Sequence, residues 1–264
     1  MNLSWLNPDP IIDIIETASQ LILQIYIGED FYVVKKDDES PLTIADRKSN
    51  DYICRNLQHL YPWVPIISEE NVNEEYEKRK NYSFAWLVDP LDGTKEFIKK
   101  NGEFTVNIGL IYNGVPVAGF VTIPVKGLTY WAIQGKGAWV HEVGKDWQSI
   151  SEIRQSYRPK NGKLRVIASR SHMNDETTEF INRLGDVELL NVGSSIKLLW
   201  IAENKADIFP RLGPCCEWDT CATHAIVREL GGKVESYPGG LELIYNKENL
   251  LNPFFVCQFN YLPI

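Results

Sequence analysis

The chain has 264 residues, of which 44% are hydrophobic, and it carries a formal net charge of −8 at neutral pH. This length and composition are typical of a globular enzyme with one large core or two smaller ones. The acidic balance argues against nucleic acid or an anionic membrane as the main partner, although bound cations could still adapt a site to an anionic substrate.

Neither a membrane span nor a secretory leader is predicted. The longest apolar stretch, residues 11–27, is interrupted by Asp13, Glu16 and Gln20, and the first residues lack the basic segment and cleavage site of a signal peptide. The five cysteines are odd in number and form no Cys-x-x-Cys pair, so we expect a reduced, cytoplasmic compartment. The cluster of cysteines at 215–221 has no further ligand at zinc spacing, which argues against a zinc site there.

Two amphipathic helices are predicted in the first 60 residues. Apolar residues recur at helical spacing over residues 11–25, after Asp9-Pro10, which reads as an N-cap and first helical residue, and before Gly28. After a polar stretch, a second helix is expected to begin at Pro41. Asp46 would lie in its first turns, where the helix dipole favours a carboxylate.

Two short apolar runs, residues 64–67 and 84–88, are predicted strands that are each followed by acids. Glu69-Glu70 follows the first run, and Asp89-Pro90-Leu91-Asp92 follows the second and leads into a helix over residues 94–99. Pro90 turns the chain, so that the Leu91 carbonyl can point the same way as both acids. This stretch alone is compatible with a site for hard cations and a phosphate. It is equally compatible with an ordinary capped strand–turn–helix in which Asp92 is the N-cap.

The remaining sequence shows two different patterns of predicted secondary structure. Closely spaced apolar segments separated by Gly and Pro predict an antiparallel meander over residues 104–112, 115–123, 128–133 and 138–143. Predicted strands and helices then alternate from residue 164 to the end, which is an α/β pattern. The last helix of this alternation is expected over residues 218–230. The polar stretch 156–163 separates the two patterns, so we predict an α+β domain over residues 1–157 and an α/β domain over residues 158–264.

Four acids stand at the end of a predicted strand or the start of a predicted helix: Glu69, Asp89, Asp92 and Asp219. For each acid taken alone, a structural role at a helix start is a sufficient explanation. If the four converge, their mutual repulsion would raise the carboxylate pKa values unless divalent cations relieve it. Ligands that are all oxygen favour Mg²⁺, Mn²⁺ or Ca²⁺ over zinc.

The order of these motifs resembles a known family. The run Asp89-Pro90-Leu91-Asp92-Gly93-Thr94, preceded by Glu69-Glu70 and followed by Trp218-Asp219, resembles the inositol monophosphatase superfamily of Mg²⁺-dependent, lithium-sensitive phosphatases. Shorter segments resemble the 3′(2′),5′-bisphosphate nucleotidases of the CysQ type, namely residues 94–98, 101–107, 169–172 and 193–197. Cys215-Cys216-Glu217 departs from the small or neutral residues expected there.

The resemblance implies a fold and an activity. The fold would be a layered α/β/α/β/α sandwich of the inositol monophosphatase and fructose-1,6-bisphosphatase type. The activity would be Mg²⁺-dependent hydrolysis of 3′-phosphoadenosine 5′-phosphate to AMP and phosphate by metal-activated water, with 3′-phosphoadenylyl sulfate as a further substrate. Two or three Mg²⁺ ions, replaceable by Mn²⁺, would be held by Glu69, Asp89, the Leu91 carbonyl, Asp92 and Asp219.

The resemblance also implies roles for the remaining site residues. Asp46 and Thr94 match the pair that orients the attacking water, and Glu70 would support the metal ligands or a second water. Substrate would be bound by Gly93, Thr94, Ser171, His172, Ser194, Ser195 and Lys197. The residues by themselves leave alternatives, because His172 could cap a helix instead of stacking on adenine, and Lys197 could be a solvated surface lysine.

Two rival functions remain open from the sequence. An inositol monophosphatase or a fructose-1,6-bisphosphatase would share the same metal core. A non-catalytic nucleotide or metal sensor would share the ligands but would have no need of the pair Asp46 and Thr94. The expected partner is a small nucleotide bisphosphate and not nucleic acid, a homodimer is compatible with the sequence, and the expected location is the cytoplasm or the inner face of the cell membrane.

Overall fold

The computed structural model describes residues 3–28, 33–35, 41–71, 74–156, 162–168 and 174–259. The helices in these ranges are α1 (Pro8–Ile27), α2 (Ile44–Leu60), α3 (Tyr76–Arg79), α4 (Thr94–Ile98), α5 (Ile150–Ser156), α6 (Asp175–Arg183), α7 (Ile196–Ala202) and α8 (Cys221–Glu229). The strands are β1 (Val33–Lys35), β2 (Pro41–Thr43), β3 (Ile66–Ser68), β4 (Phe84–Asp92), β5 (Thr105–Tyr112), β6 (Val115–Ile123), β7 (Leu128–Ile133), β8 (Ala138–Glu142), β9 (Gln148–Ser149), β10 (Leu164–Ala168), β11 (Val187–Asn191), β12 (Ile208–Arg211), β13 (Lys233–Ser236) and β14 (Phe255–Gln258).

Two large sheets organise these elements. The first runs in the order β3-β4-β5-β6-β7-β8-β9, and only its β3–β4 pair is parallel among the described strands. The second runs in the order β11-β10-β12-β14-β13, with β10 parallel to both of its neighbours and β14 antiparallel to both of its own. The antiparallel meander predicted from the sequence is therefore confirmed, and so is the change to an α/β pattern after it.

Helices cover the faces of the sheets in layers. Helices α1 and α2 pack on one face of the first sheet, α7 and α8 lie between the two sheets, and α6 packs against the second sheet. Three groups of buried apolar side chains fill the spaces between these layers. The layer order is α/β/α/β/α, which confirms the predicted fold class.

The contact between α8 and the first sheet is unusually close. A Cβ atom added to Gly119 on β6 would lie 1.9 Å from the Ala222 carbonyl oxygen, and one added to Gly109 on β5 would lie 2.6 Å from the Cys221 sulfur. Real non-bonded carbon atoms do not approach other heavy atoms so closely, so only glycine fits at these two positions. The first residues of α8 therefore pack directly on the backbone of β5 and β6 at the centre of the first sheet.

Both N-terminal helices begin at other residues than the sequence predicted. Helix α1 starts at Pro8, because the side chain of Asn7 is the N-cap and accepts from the Asp9 amide at 3.3 Å. The predicted start of the second helix at Pro41 is wrong, because residues 41–43 form a strand that pairs with β1. Thr43 is the N-cap of α2 and forms a capping box with Asp46.

Helix α1 is, within the described part of the chain, the one helix long and apolar enough to cross a membrane by length and composition. Its Ile11, Ile15 and Ile22 are completely buried and belong to the core between α1, α2 and the first sheet. This burial is what an amphipathic core helix requires.

The predicted domain boundary at residues 157/158 falls between the last strand of the first sheet and the first strand of the second. The first sheet uses residues up to Ser149 and the second begins at Leu164. The core between the sheets nevertheless draws side chains from both parts, including Leu87 and Val121 from one and Leu199 and Ile226 from the other. The division into two domains remains a prediction, and residues 157–161 near the boundary lie outside the described ranges.

Candidate active site

The carboxyl end of β4 forms the centre of the candidate site. Asp89 pairs with Asn107 of β5 and Asp92 pairs with Thr105, and the register shifts between these two pairs. The turn between the acids is fixed by two hydrogen bonds, from the Leu91 amide to Asp89 Oδ1 at 3.0 Å and from Ser49 Oγ to the Pro90 carbonyl at 2.8 Å. The shift in register brings Asp89 and Asp92 to the same edge of the sheet.

Asp89 is the most deeply buried of the four acids Glu69, Asp89, Asp92 and Asp219, with 1% of its surface exposed. Burial raises its pKa well above the ordinary value, and the charges of Glu69, Asp92 and Asp219 raise that pKa further. Burial also raises the pKa of Asp219 to about 6, and the charge of Asp92 is the second cause of this rise. The structure therefore places Glu69, Asp92 and Asp219 close enough to Asp89 to repel its charge.

Asp92 is held by the chain segment before α7. Its Oδ2 accepts from Ser194 Oγ at 2.6 Å and from the Ser195 amide at 2.5 Å. The N-cap of α4 is Gly93 and not Asp92, so the alternative interpretation of Asp92 as an ordinary helix cap is wrong. The Asp92 carboxylate instead connects the end of β4 to the segment before α7 through these two hydrogen bonds.

Two buried side chains that the sequence did not single out support this junction. Thr105 Oγ1 lies 2.7 Å from both Ser194 Oγ and Ser195 Oγ, and Ser195 Oγ donates to Asn107 Oδ1 at 2.8 Å. Both serine hydroxyls are thus engaged by protein groups, and their assignment to substrate binding remains a prediction. Thr105 and Asn107 could have been found from their alternation on β5, which places both on the face that bears the acids.

Asp219 lies in a turn before α8 and not in the helix. The predicted helix start at residue 218 is wrong, because α8 begins at Cys221 with Thr220 as its N-cap residue. Asp219 Oδ2 accepts from the Cys216 amide at 2.9 Å and from the Cys215 thiol at 3.3 Å. Burial raises the pKa of the Cys215 thiol well above its usual value, so the thiol is protonated and acts as a donor.

Asp46 and Thr94 meet although they are 48 residues apart in sequence. Thr94 Oγ1 lies 3.3 Å from Asp46 Oδ1, while Asp46 Oδ2 accepts from the Thr43 amide at 2.8 Å and the Thr43 hydroxyl at 2.5 Å. The capping box therefore orients the carboxylate so that its other oxygen faces Thr94. Burial raises the pKa of Asp46, and the nearby charge of Glu70 also contributes to this rise.

The donor set matches a hard divalent cation. Carboxylate and carbonyl oxygens are the ligands that Mg²⁺ and Ca²⁺ prefer, and positive charge would relieve the repulsion that raises the pKa of Asp89. Among the residues that the structure describes, no group of three or more His, Cys, Asp or Glu side chains has an arrangement that could hold a metal ion as it stands. The Asp92 and Asp219 carboxylates each accept protein hydrogen bonds through Oδ2.

Two cationic side chains lie on the side of the site formed by the second sheet. Lys197 is half-buried, with its Nζ 5.7 Å from the centre of the Phe209 ring, so it is not a solvated surface lysine. Burial lowers the pKa of Lys197, Asp92 raises it and the charge of Arg211 lowers it. Arg211, which the sequence did not single out, has a buried Nε with no partner among the described groups. The predicted substrate contacts Ser171 and His172 lie outside the described residues.

The chain is similar to known proteins over nearly its whole length. Residues 9–254 match the model of the inositol monophosphatase family. The chain is 42% identical to the "3'(2'),5'-bisphosphate nucleotidase CysQ" of Salmonella typhimurium, over 90% of this chain and 94% of the relative. It is 41% identical to the protein of that name from Escherichia coli K12, over 94% and 97% of the two chains. A crystal structure of CysQ from Bacteroides thetaiotaomicron, described as a bacterial member of the inositol monophosphatase family, has a TM-score of 0.81 at 40% identity and covers 96% of this chain and 97% of its own.

Proposed function

Since the chain belongs to the inositol monophosphatase family, we propose that it is a 3′(2′),5′-bisphosphate nucleotidase. The observation that carries this proposal is the similarity, over nearly the whole chain, to relatives that bear this name. The substrate we infer is 3′-phosphoadenosine 5′-phosphate, which the enzyme hydrolyses to AMP and phosphate, and its sulfonated form is a further substrate.

Enzymes of this family are generally dependent on metal ions. We assign two or three Mg²⁺ ions, which Mn²⁺ can replace, to Glu69, Asp89, the Leu91 carbonyl, Asp92 and Asp219. A divalent cation held there would supply positive charge against the carboxylates and the phosphate, and would acidify water. The all-oxygen donor set and the raised pKa of Asp89 support this assignment.

Proton transfer is assigned to Thr94 and Asp46. The Thr94 hydroxyl accepts a proton from the attacking water and passes its own proton to Asp46 Oδ1, which lies 3.3 Å away. Thr43 keeps Asp46 Oδ2 occupied, so the carboxylate cannot turn away from Thr94. The raised pKa of Asp46 makes this carboxylate a better proton acceptor than an ordinary aspartate. Glu70 lies near enough to influence Asp46 and is assigned to a second water.

The substrate is held from both halves of the chain. The amides of Gly93 and Thr94 are assigned to the phosphate that is hydrolysed, because they stand at the start of α4. Lys197 and Arg211 are assigned to the phosphate that is retained, since both are cations beside the acids and the Arg211 Nε has no partner among the described groups. Ser171, His172, Ser194 and Ser195 complete the proposed nucleotide contacts. None of the five cysteines, all of which the structure describes, is joined in a disulfide, and this supports a cytoplasmic location.

A parallel assay tests the proposed function. Phosphate release is measured from 3′-phosphoadenosine 5′-phosphate, inositol monophosphate and fructose 1,6-bisphosphate, each with Mg²⁺ and with chelator. We expect the nucleotide to give the highest kcat/KM, activity to stop with chelator and to return with Mg²⁺, and Asp89→Asn to be inactive in all three assays. A preference for either of the other substrates would assign the chain to that activity instead. No release from any of them by a well-folded protein would favour a sensor.

A further inference from the structure

The turn that carries Asp219 is enclosed by the chain segment at residues 244–252. The Glu217 amide donates to the Leu250 carbonyl at 2.9 Å, and the Asn252 amide donates to the Cys215 carbonyl at 2.8 Å. The Asn252 side chain donates to the Cys216 carbonyl at 2.9 Å. The two donors that hold Asp219 Oδ2 therefore belong to residues whose own backbone is fixed by this segment.

Glu217 is a completely buried carboxylate next to the same turn. It accepts from the Asn246 amide at 2.5 Å, from the Lys247 amide at 3.1 Å and from Lys247 Nζ at 2.5 Å. A buried charge is tolerated only when it is paired and hydrogen-bonded, and here all three donors come from two consecutive residues. The position of Glu217 thus depends on residues 246 and 247.

Arg79 fixes those two residues from a distant part of the sequence. It is 4% exposed and lies at the end of α3, in the connection between β3 and β4. Its guanidinium donates to Asn246 Oδ1 at 2.7 Å, to the Lys247 carbonyl at 3.1 Å and to the Glu248 carbonyl at 3.2 Å, and its Nε donates to the Glu74 carbonyl at 2.8 Å. The side-chain amide of Asn246 in turn donates a hydrogen bond to the Arg79 carbonyl at 2.6 Å.

We propose that Arg79 is a positioning residue for Asp219 and acts through Asn246 and Glu217. The inference rests on the assignment of Asp219 as a metal ligand in the proposed function. Glu69 precedes Arg79 in the same connection, and Asp219 follows Glu217 by two residues. The contact between Arg79 and Asn246 therefore joins the connection that follows Glu69 in sequence to the segment that fixes the turn of Asp219. Only a planar fork of N–H donors can reach these acceptors together, so lysine cannot replace Arg79.

The test compares three variants. Arg79→Lys keeps the charge and removes the fork. Asn246→Gly removes the side-chain bonds to Arg79 and keeps the backbone, because Asn246 has φ +62°, which glycine adopts freely. Arg165→Lys is the matched control, since Arg165 is 3% exposed and pairs with Asp207 in the second sheet. For each variant, Mn²⁺ binding to the substrate-free protein is measured by titration, together with the Mg²⁺ concentration for half-maximal activity and the melting temperature.

We expect Arg79→Lys and Asn246→Gly to weaken Mn²⁺ binding by roughly tenfold, as is usual when a group that orients a metal ligand is lost. The Mg²⁺ concentration for half-maximal activity should rise in parallel, and Arg165→Lys should lower the melting temperature without either change. If Arg79→Lys does not fold, Asn246→Gly decides the question. Mn²⁺ affinity within twofold of wild type in folded Arg79→Lys and Asn246→Gly would overturn the proposal.

Asp219→Asn separates this proposal from the one on which it rests. If Asp219→Asn weakens Mn²⁺ binding and neither Arg79→Lys nor Asn246→Gly does, Asp219 is a ligand and Arg79 is a purely structural residue. If Asp219→Asn leaves Mn²⁺ binding unchanged, the ligand assignment is wrong and the positioning role falls with it.

Discussion

The close approach of α8 to β6 leads to a prediction about both stability and metal binding. In Gly119→Ala, the new methyl group would lie 1.9 Å from the Ala222 carbonyl oxygen and 2.7 Å from its carbonyl carbon. Non-bonded heavy atoms reach their favourable separation near 3.5 Å, so α8 would have to retreat by about 1.5 Å. Neither partner can yield locally, because one is the backbone of a helix and the other is the centre of a seven-stranded sheet.

This displacement has two expected consequences. Overpacking of this kind costs roughly 1–3 kcal/mol, which for a chain of this size lowers the melting temperature by about 2–12 °C. Because Asp219 lies two residues before α8, the same shift would move it away from Asp89 and Asp92. A misplacement of about 1 Å can reduce turnover by 10²-fold, so we expect kcat/KM to fall by roughly 10- to 100-fold in the folded fraction.

The assay uses a second glycine as its control. A Cβ atom at Gly213 would meet nothing within 4 Å, so Gly213→Ala should change the melting temperature only slightly. Thermal unfolding, Mn²⁺ titration and kcat/KM are measured for both variants beside wild type. If Gly119→Ala were as stable as Gly213→Ala and bound Mn²⁺ as wild type does, α8 would not be held at this distance and the packing argument would be refuted.

Three further predictions concern individual groups of the site. Thr94→Ala should lower kcat by roughly 10²–10⁴-fold and leave Mn²⁺ affinity nearly unchanged; an equal loss of metal affinity would contradict a role in proton transfer. Burial raises the pKa of Asp219 to about 6, so protons should compete with Mn²⁺ for this carboxylate below that pH. Mn²⁺ affinity measured from pH 5 to 8 should therefore fall towards acid pH and level off above pH 7. A pH-independent Mn²⁺ affinity would exclude Asp219 from the site. Lys197→Ala should reduce kcat/KM for 3′-phosphoadenosine 5′-phosphate by about ten- to a hundred-fold and affect adenosine 3′-monophosphate much less, and an unchanged ratio of the two substrates would mean that Lys197 does not contact the retained phosphate.

Much of the fold could be predicted because its signals are local. The strands β5 to β8 are marked by apolar runs and by Gly-containing turns, so their order and antiparallel pairing follow from the sequence. The start of α2 could not be predicted in the same way. Pro41 is an equally good first residue of a helix or of an edge strand, and the deciding contacts are the pairing of β2 with β1 and the capping box of Thr43 with Asp46.

The candidate site divides in a similar way. Its acids could be predicted because each follows a strand or precedes a helix, which leaves a local trace in the sequence. The contacts that orient these acids could not be predicted, because the contacting residues are distant in sequence. Thr105 bonds to a serine 89 residues away, and Arg79 bonds to Asn246 across 167 residues. The alternation along β5 marks the face on which Thr105 lies, but no local pattern shows which residue Thr105 or Arg79 contacts.

The core between the sheets is built from side chains of both the earlier and the later part of the chain, and this has a consequence for synthesis of the protein. Asp219 lies 127 residues beyond Asp92, so at about 5–20 residues per second it leaves the ribosome roughly 6–25 s later. Until then, the inner face of the first sheet, which includes Leu87, Ile111 and Val121, has none of the α8 side chains that later cover it. The growing chain therefore carries an uncovered apolar surface beside three uncompensated acids. The core is closed and Asp219 joins the other three acids only when α8 docks, so a chain that stops short of this helix has neither a closed core nor the full set of proposed metal ligands.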